Sequence, residues 1–160
     1  MAITPYLLYQ DAAAAVDWLA KAFGLRPDEV LKGPDGRVGH ASMTFGKSLL
    51  MFGSPGPDFQ GPRAIGHWTA NLYVDVDDVE THYARAVKAG ATIIEEPRDT
   101  PYGARRYGAE DLEGHRWYFA QALAAPRKRP PHKRTKTSKG RNAAPKKKTK
   151  ARGRRRSTRR

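Results

Sequence analysis

Apolar positions along the first 125 residues recur at two periods, every second residue and every third or fourth. That alternation predicts strands interleaved with helices. Residues 3–9 read as a strand. Asp11 then stands as a helix cap before Val16, Leu19, Ala20 and Phe23, which share one helical face. Gly24 falls where a helix end favours a left-handed residue. Strands are predicted at 29–32, 37–45 and 47–53, separated by the Pro34-Asp35-Gly36 turn and a tight connection at Gly46.

After the Pro- and Gly-rich loop 53–66 the same plan returns. A strand at 67–75 leads to Asp77-Asp78-Val79-Glu80, a capping-box pattern with aspartate as the cap. Val79, Tyr83, Ala86 and Val87 form the next apolar stripe, and Gly90 closes it. Three more strands follow at 91–95, 104–109 and 115–121. Gly24 and Gly90 stand 66 residues apart, and Gly46 and Gly114 stand 68 apart, so the plan repeats. The predicted fold class is α+β, built from two β-α-β-β-β units.

Charge divides the chain differently. Residues 126–160 contain 18 Lys and Arg and no acid, whereas residues 1–125 hold 12 bases against 16 acids. The basic segment has no aliphatic side chain larger than alanine and no aromatic, so it cannot bury enough apolar surface to offset the entropy of ordering. The expectation is a folded domain, 1–125, followed by a disordered tail, 126–160. The runs at Arg127, Lys128, Arg129, at Lys133 and Arg134, at Lys146, Lys147, Lys148 and at Arg154, Arg155, Arg156 suit DNA or RNA backbones through counterion release. Without an aromatic for base stacking, that binding is expected to be non-specific.

The absence of cysteine removes disulfides, thiolate metal sites and thiol nucleophiles. No apolar run approaches the roughly 20 residues of a spanning helix, and no basic segment precedes an apolar core at the N-terminus. A cytoplasmic protein with no membrane partner is expected. There is no phosphate loop and no G-x-S-x-G element. Asp75, Asp77 and Asp78 read as helix-start charges, Glu95-Glu96 as a surface turn, His115 as the start of the last strand and His82 as a residue on the exposed side of its helix.

The strings ITPYLLYQDAAAAVDWLAKAFGL, GPDGRVGHASMTFGKSLLMFGSP, LYVDVDDVETHYARAVKAGATI and PYGARRYGAEDLEGHRWYFA resemble the vicinal oxygen chelate superfamily. That group includes glyoxalase I, bleomycin-resistance proteins, fosfomycin-resistance enzymes and extradiol dioxygenases. The resemblance covers about residues 3–121 and implies paired βαβββ modules whose curved mixed sheets enclose a cavity. It further implies a small organic ligand and a homodimer.

Strand alternation then says which side chains line such a cavity. Ala41, Met43, Phe45, Leu72, Val74, Trp117 and Phe119 belong against helices. His40, Ser42, Thr44, Thr69, Asn71, Tyr73, Arg116 and Tyr118 fall on the opposite set and are expected to face the ligand, with Arg116 as a fixed positive charge. Loops 53–66 and 100–107 form the rims, where Tyr102 and Arg106 stand as gate residues. The superfamily's enzymes hold a divalent metal with His and Glu; the corresponding positions fall near Thr4, Leu50, Thr69 and Tyr118, none of them a ligand of that kind. No cofactor is therefore expected, and the reading is a ligand-binding protein of bleomycin-resistance type with a polycationic tail. Two alternatives remain open at this point. One is a metal-dependent lyase, transferase or dioxygenase with displaced ligands at His40, His67 and Glu113; the other is a nucleic-acid-associated protein for which the folded domain is a carrier.

Overall fold

A computed structural model describes residues 3–123, and the 126–160 segment with its predicted nucleic-acid contacts lies outside them. The first module runs β1 (Tyr6–Leu8), α1 (Ala12–Phe23), β2 (Arg26–Lys32), β3 (Val38–Phe45) and β4 (Ser48–Gly53). A short helix α2 (Pro62–Ile65) sits in the connection. The second module runs β5 (Asn71–Asp75), α3 (Val79–Lys88), β6 (Thr92–Asp99), β7 (Ala104–Glu110) and β8 (Arg116–Ala122). Each module is one four-stranded mixed sheet, in the orders β1-β4-β3-β2 and β5-β8-β7-β6. In both, the first strand lies parallel to the last and the other pairs are antiparallel. The repeated plan is thus an α+β fold of two βαβββ modules.

Local chemistry starts and stops the helices. The Asp11 carboxylate accepts from the Ala14 amide at 3.0 Å, and Gly24 closes α1 at φ +77°. For α3 the cap is Asp78 rather than Asp77: its Oδ1 accepts from the amides of Glu80 and Thr81 at 3.0 and 3.1 Å, so Thr81, not Glu80, occupies the third turn position. Hydrogen bonds from the Thr81 amide and hydroxyl hold the Asp78 carboxyl below its ordinary range.

Several boundaries differ from the sequence expectation for one reason, the tolerance of edge strands. β2 begins at Arg26 and includes Pro27, and β6 runs on through Pro97 to Asp99. Both are outermost strands, where a missing N–H leaves no ladder bond broken, and both carry register shifts. At the other extreme β1 shrinks to Tyr6–Leu8 and β5 to Asn71–Asp75, leaving His67 and Thr69 before the strand.

The core lies between the sheets and the two long helices, which also pack on each other. Tyr9, Leu19, Phe23, Met43, Phe52, Tyr107 and Phe119 are fully buried. The stripe of α3 is rotated from its predicted position. Val79, His82 and Ala86 are buried while Val87 is exposed, because the C-terminal end of α1 covers that side. His82 is therefore a core residue and not a solvated one.

The Asp111–His115 turn joins the modules. Both Glu113 carboxylate oxygens accept backbone amides of the first module, from Gln10 at 2.7 Å and Asp11 at 2.9 Å. Asp111, fully buried, accepts from the Tyr9 hydroxyl at 2.7 Å, from Trp117 Nε1 at 3.1 Å and from the amides of Glu113 and His115. Burial, then the Asp111 charge, hold the Tyr9 phenol well above its ordinary pKa. His115 ends just before β8 and its Nε2 lies 3.0 Å from the Leu8 carbonyl.

Candidate functional site

Strand alternation sorts the site residues as the pleat requires. Trp117 and Phe119 are buried against the helices, so Arg116 and Tyr118 project from the opposite face of β8. On the neighbouring strand β5, Asn71 pairs with Arg116 and Tyr73 with Tyr118. On the other side, Glu110 pairs with Arg116 and Gly108 with Tyr118. The helix-free face of the second sheet therefore gathers Asn71, Tyr73, Arg106, Arg116 and Tyr118, with Tyr102 on the adjoining turn.

Hydrogen bonds fix this cluster. Arg106 donates through Nε and Nη2 to both oxygens of Glu95 at 2.8 and 3.0 Å, and through Nη1 to the Tyr102 hydroxyl at 3.0 Å. Its guanidinium carbon lies 4.6 Å from the centre of the Tyr118 ring. Glu95 also bridges to Arg98, and the bonds from Arg106 hold its carboxyl below the ordinary range against the opposing effect of burial. Arg116 donates to Glu110 at 3.0 Å and its guanidinium carbon lies 3.0 Å from the centre of the Trp68 indole. Arg116, expected from the sequence as a fixed positive charge, is held by these two contacts. It shares Glu110 with Arg63, whose Nη2 lies 4.0 Å from the other carboxylate oxygen, and it is covered by Trp68.

Three members of this cluster escape the sequence reading. Glu95 is not a surface turn but the carboxylate that holds Arg106, because β6 continues past it. Glu110 was legible in principle, since it and Arg116 flank the Asp111–His115 turn symmetrically and so face each other across the hairpin. Trp68 precedes β5 with no periodic signal.

The first sheet contributes less. His40 is half-buried with Nδ1 at 3.3 Å from the Tyr6 hydroxyl. Ser42 is buried and donates to Asp28 in the β2 bulge at 3.1 Å, which takes it out of contact with solvent. Thr44 is half-buried, and Thr69 is exposed outside any strand. Leu50 turns into the core and its neighbour Met51, paired with both Tyr6 and Ser42, takes the helix-free side, one residue from the expected position. A cleft of about 810 Å³ lies between the β3–β4 turn and the free edge of β5, lined by Thr4, Pro5, Phe45–Leu50, Asn71–Asp77 and Trp117. Asn71 and Tyr73 border both the cleft and the arginine cluster.

A metal held by His40, His67 and Glu113 does not fit these residues. Both Glu113 oxygens are occupied by backbone amides, His67 is exposed in the connection, and His40 faces Tyr6. Among the described residues no three His, Asp or Glu side chains converge in a way that could hold an ion. Among the same residues no helix is long and apolar enough to cross a membrane.

A family model described as the glyoxalase/bleomycin resistance protein/dioxygenase superfamily matches residues 3–119. The uncharacterized protein Mb0911c of Mycobacterium bovis is 31% identical over 127 residues, which cover 76% of this chain and 84% of that one. The crystal structure of TioX from Micromonospora sp. ML1 superposes with a TM-score of 0.64 at 35% identity, covering 77% of this chain and 99% of TioX. A glyoxalase-related enzyme from Clostridium phytofermentans shares the fold, with a TM-score of 0.60 at 14% identity over 77% of this chain and 95% of that one.

Proposed function

Because the chain belongs to the glyoxalase/bleomycin resistance protein/dioxygenase superfamily, we propose that it binds a small organic molecule on the helix-free face of its second sheet, without a glyoxalase-type metal. The observation that carries this reading is the arginine–aromatic cluster. Four aromatic side chains and two ordered guanidinium groups are gathered on the sheet face turned away from the two long helices. Side chains held this firmly at a surface are suited to recognition, since little conformational entropy remains to be lost on binding.

A second copy of the chain completes the site in this proposal. The corresponding face of the first sheet exposes Tyr6 and Leu31 to 49% and 52%, an apolar complement for the ligand's far side. Residues 126–160 act separately, holding the protein on DNA or RNA without sequence preference.

Calorimetric titration of the full chain with a panel of neutral, anionic and cationic fragments tests the binding reading. Saturable heat from at least one fragment, lost in Arg106→Ala, is expected. One transition metal per chain after purification without chelators, lost in His40→Ala, would overturn the metal-free reading. For the tail, anisotropy of a labelled duplex is followed against salt. Replacing Lys146, Lys147, Lys148, Arg154, Arg155 and Arg156 with serine in the full chain is expected to flatten the logarithmic salt slope by up to about 5.

A further inference from the structure

Guanidinium groups outnumber the carboxylates that hold them on this face. Glu95 serves both Arg98 and Arg106, and Glu110 serves Arg116 while lying 4.0 Å from Arg63. The two groups sit at opposite ends, since Arg106 and Glu110 are four residues apart on β7, about 13 Å at the rise of a strand. They are not equivalent. At the Glu95 end, Arg106 commits three nitrogens, two to the carboxylate and one to Tyr102. Arg98 sets Nε and Nη2 at 3.1 Å from the same carboxylate. Asp75 adds a second acid there, being in register with Ala120 and through it with Arg106. Two arginines meet two acids, and that end carries no excess charge.

The Glu110 end is built differently. Arg116 reaches Glu110 through Nε alone, at 3.0 Å, so its Nη1 and Nη2 meet no acceptor among the described residues. Every buried side-chain nitrogen and oxygen among those residues has a partner, so these two nitrogens must reach the surface. Arg63 commits Nη2 to the Asp111 carbonyl and is half exposed. Asn71 pairs with Arg116 in the β5–β8 register and is exposed. The acids of the adjoining turn do not compete. Asp111 is buried under four donors, and both Glu113 oxygens accept amides of the first module. Trp68 packs on the flat side of the Arg116 guanidinium, and the N–H groups of that plane point out at its edge.

We infer that the Glu110 end anchors one oxyanion group of the ligand, a carboxylate or a phosphate, on the terminal nitrogens of Arg116 together with Arg63. The inference rests on the ligand-binding reading above and adds to it the charged group and its place. Two guanidinium groups against one carboxylate leave a positive charge to be matched. The two Nη nitrogens of Arg116 offer parallel donors that fit the paired oxygens of such a group. Glu110 keeps Nε and is not displaced, because the anion meets the Nη edge.

The test follows the Arg116 Nε–H and Trp68 Nε1–H resonances of the full chain at pH 7 and constant ionic strength. These signals report on this end whatever residues 126–160 bind. The probes are isobutyrate, isopropylphosphonate and isobutyramide, which share one branched shape. Both anions are expected to shift the signals saturably, at concentrations about 10-fold lower than the amide requires. Arg116→Gln and Arg63→Gln, read at Trp68, should each weaken the anions about 10-fold, while Arg98→Gln at the other end leaves them within about 2-fold. Circular dichroism and melting temperature check folding; should Arg116→Gln fail it, the half-exposed Arg63 decides. Either anion binding the more tightly supports the anchor and tells a carboxylate ligand from a phosphate one. Equal shifts from the amide, lost in Arg63→Gln, keep the site and overturn the anion. Loss in Arg98→Gln with Arg63→Gln unaffected overturns the placement. If no probe shifts either signal while a fragment still binds in an Arg106-dependent way, the anchor falls and the ligand reading survives. If neither is seen, both fall.

Discussion

The ring of His82 on α3 donates from Nε2 to the carbonyl of Phe23 at the end of α1, at 2.9 Å. A carbonyl can only accept, so this bond assigns the proton to Nε2. Nδ1 then accepts from the Tyr107 hydroxyl at 2.6 Å. One buried neutral imidazole therefore satisfies a helix-end carbonyl of the first module and a core phenol of the second.

Stability should depend on pH through this residue. Burial lowers the His82 pKa below its ordinary value of about 6.5, with Arg85 adding to the effect and the Phe23 bond opposing it. In the window below 6.5 the unfolded chain binds more protons than the folded one, so stability is complete above that value and is lost as pH falls toward the folded pKa. Urea unfolding at pH 7.5, 6.0 and 5.0 should show that loss. His82→Gln should cost about 1–2 kcal/mol at pH 7.5 and weaken the slope across that interval.

Glu113→Ala should destabilise the fold by about 1.5–3 kcal/mol, since it removes a charged acceptor from two amides at the start of α1. Glu113→Gln keeps one carbonyl oxygen and should fall between wild type and alanine. The denaturation midpoint should move while the slope with urea is unchanged.

Asp111→Asn should be the more damaging change. Its carboxylate collects four donors in a fully buried setting. An amide offers one oxygen and turns its NH₂ toward groups that also donate, at a cost of about 3 kcal/mol or more. Tyr9→Phe should cost about 1 kcal/mol alone and much less in the Asp111→Asn background, a non-additivity read by a double-mutant cycle.

Gly108→Ala places a methyl group 2.9 Å from Tyr118 Cε1 and 3.1 Å from Ile94 Cγ1. The expected loss is about 1–3 kcal/mol. Combining it with Tyr118→Ala should recover most of that loss, because the ring is the nearer obstacle. Thermal melts of the three variants provide the check.

How far the chain could be read in advance follows from which interactions are local. The helix caps at Asp11 and Gly24, the pleat alternation of Trp117 and Phe119 against Arg116 and Tyr118, and the recurrence of the βαβββ plan all depend on neighbours within a few residues, and all were legible. His82 was misplaced because its burial is imposed by α1, some sixty positions earlier. Glu95 was misplaced because edge position in the sheet, which allows β6 to pass through Pro97, is a property of topology and not of the local string. Ser42 was expected to face the ligand, but it is buried and donates to Asp28 in the β2 bulge, an irregularity that strand alternation does not reveal. Residues whose surroundings are set by distant elements or by strand irregularities are those for which periodicity has least to say.

The contact made by Glu113 is one-sided: the first module brings only amides to it and the second only the carboxylate. Two first modules could not hold each other in this way, nor could two second modules. A chain severed in the connection between Gly53 and Gly61 would leave a half that donates and a half that accepts, which can reunite only as unlike partners. Should copies of the chain ever trade halves, the trade preserves that pairing, since each exchanged piece finds in its new neighbour the complement it left behind.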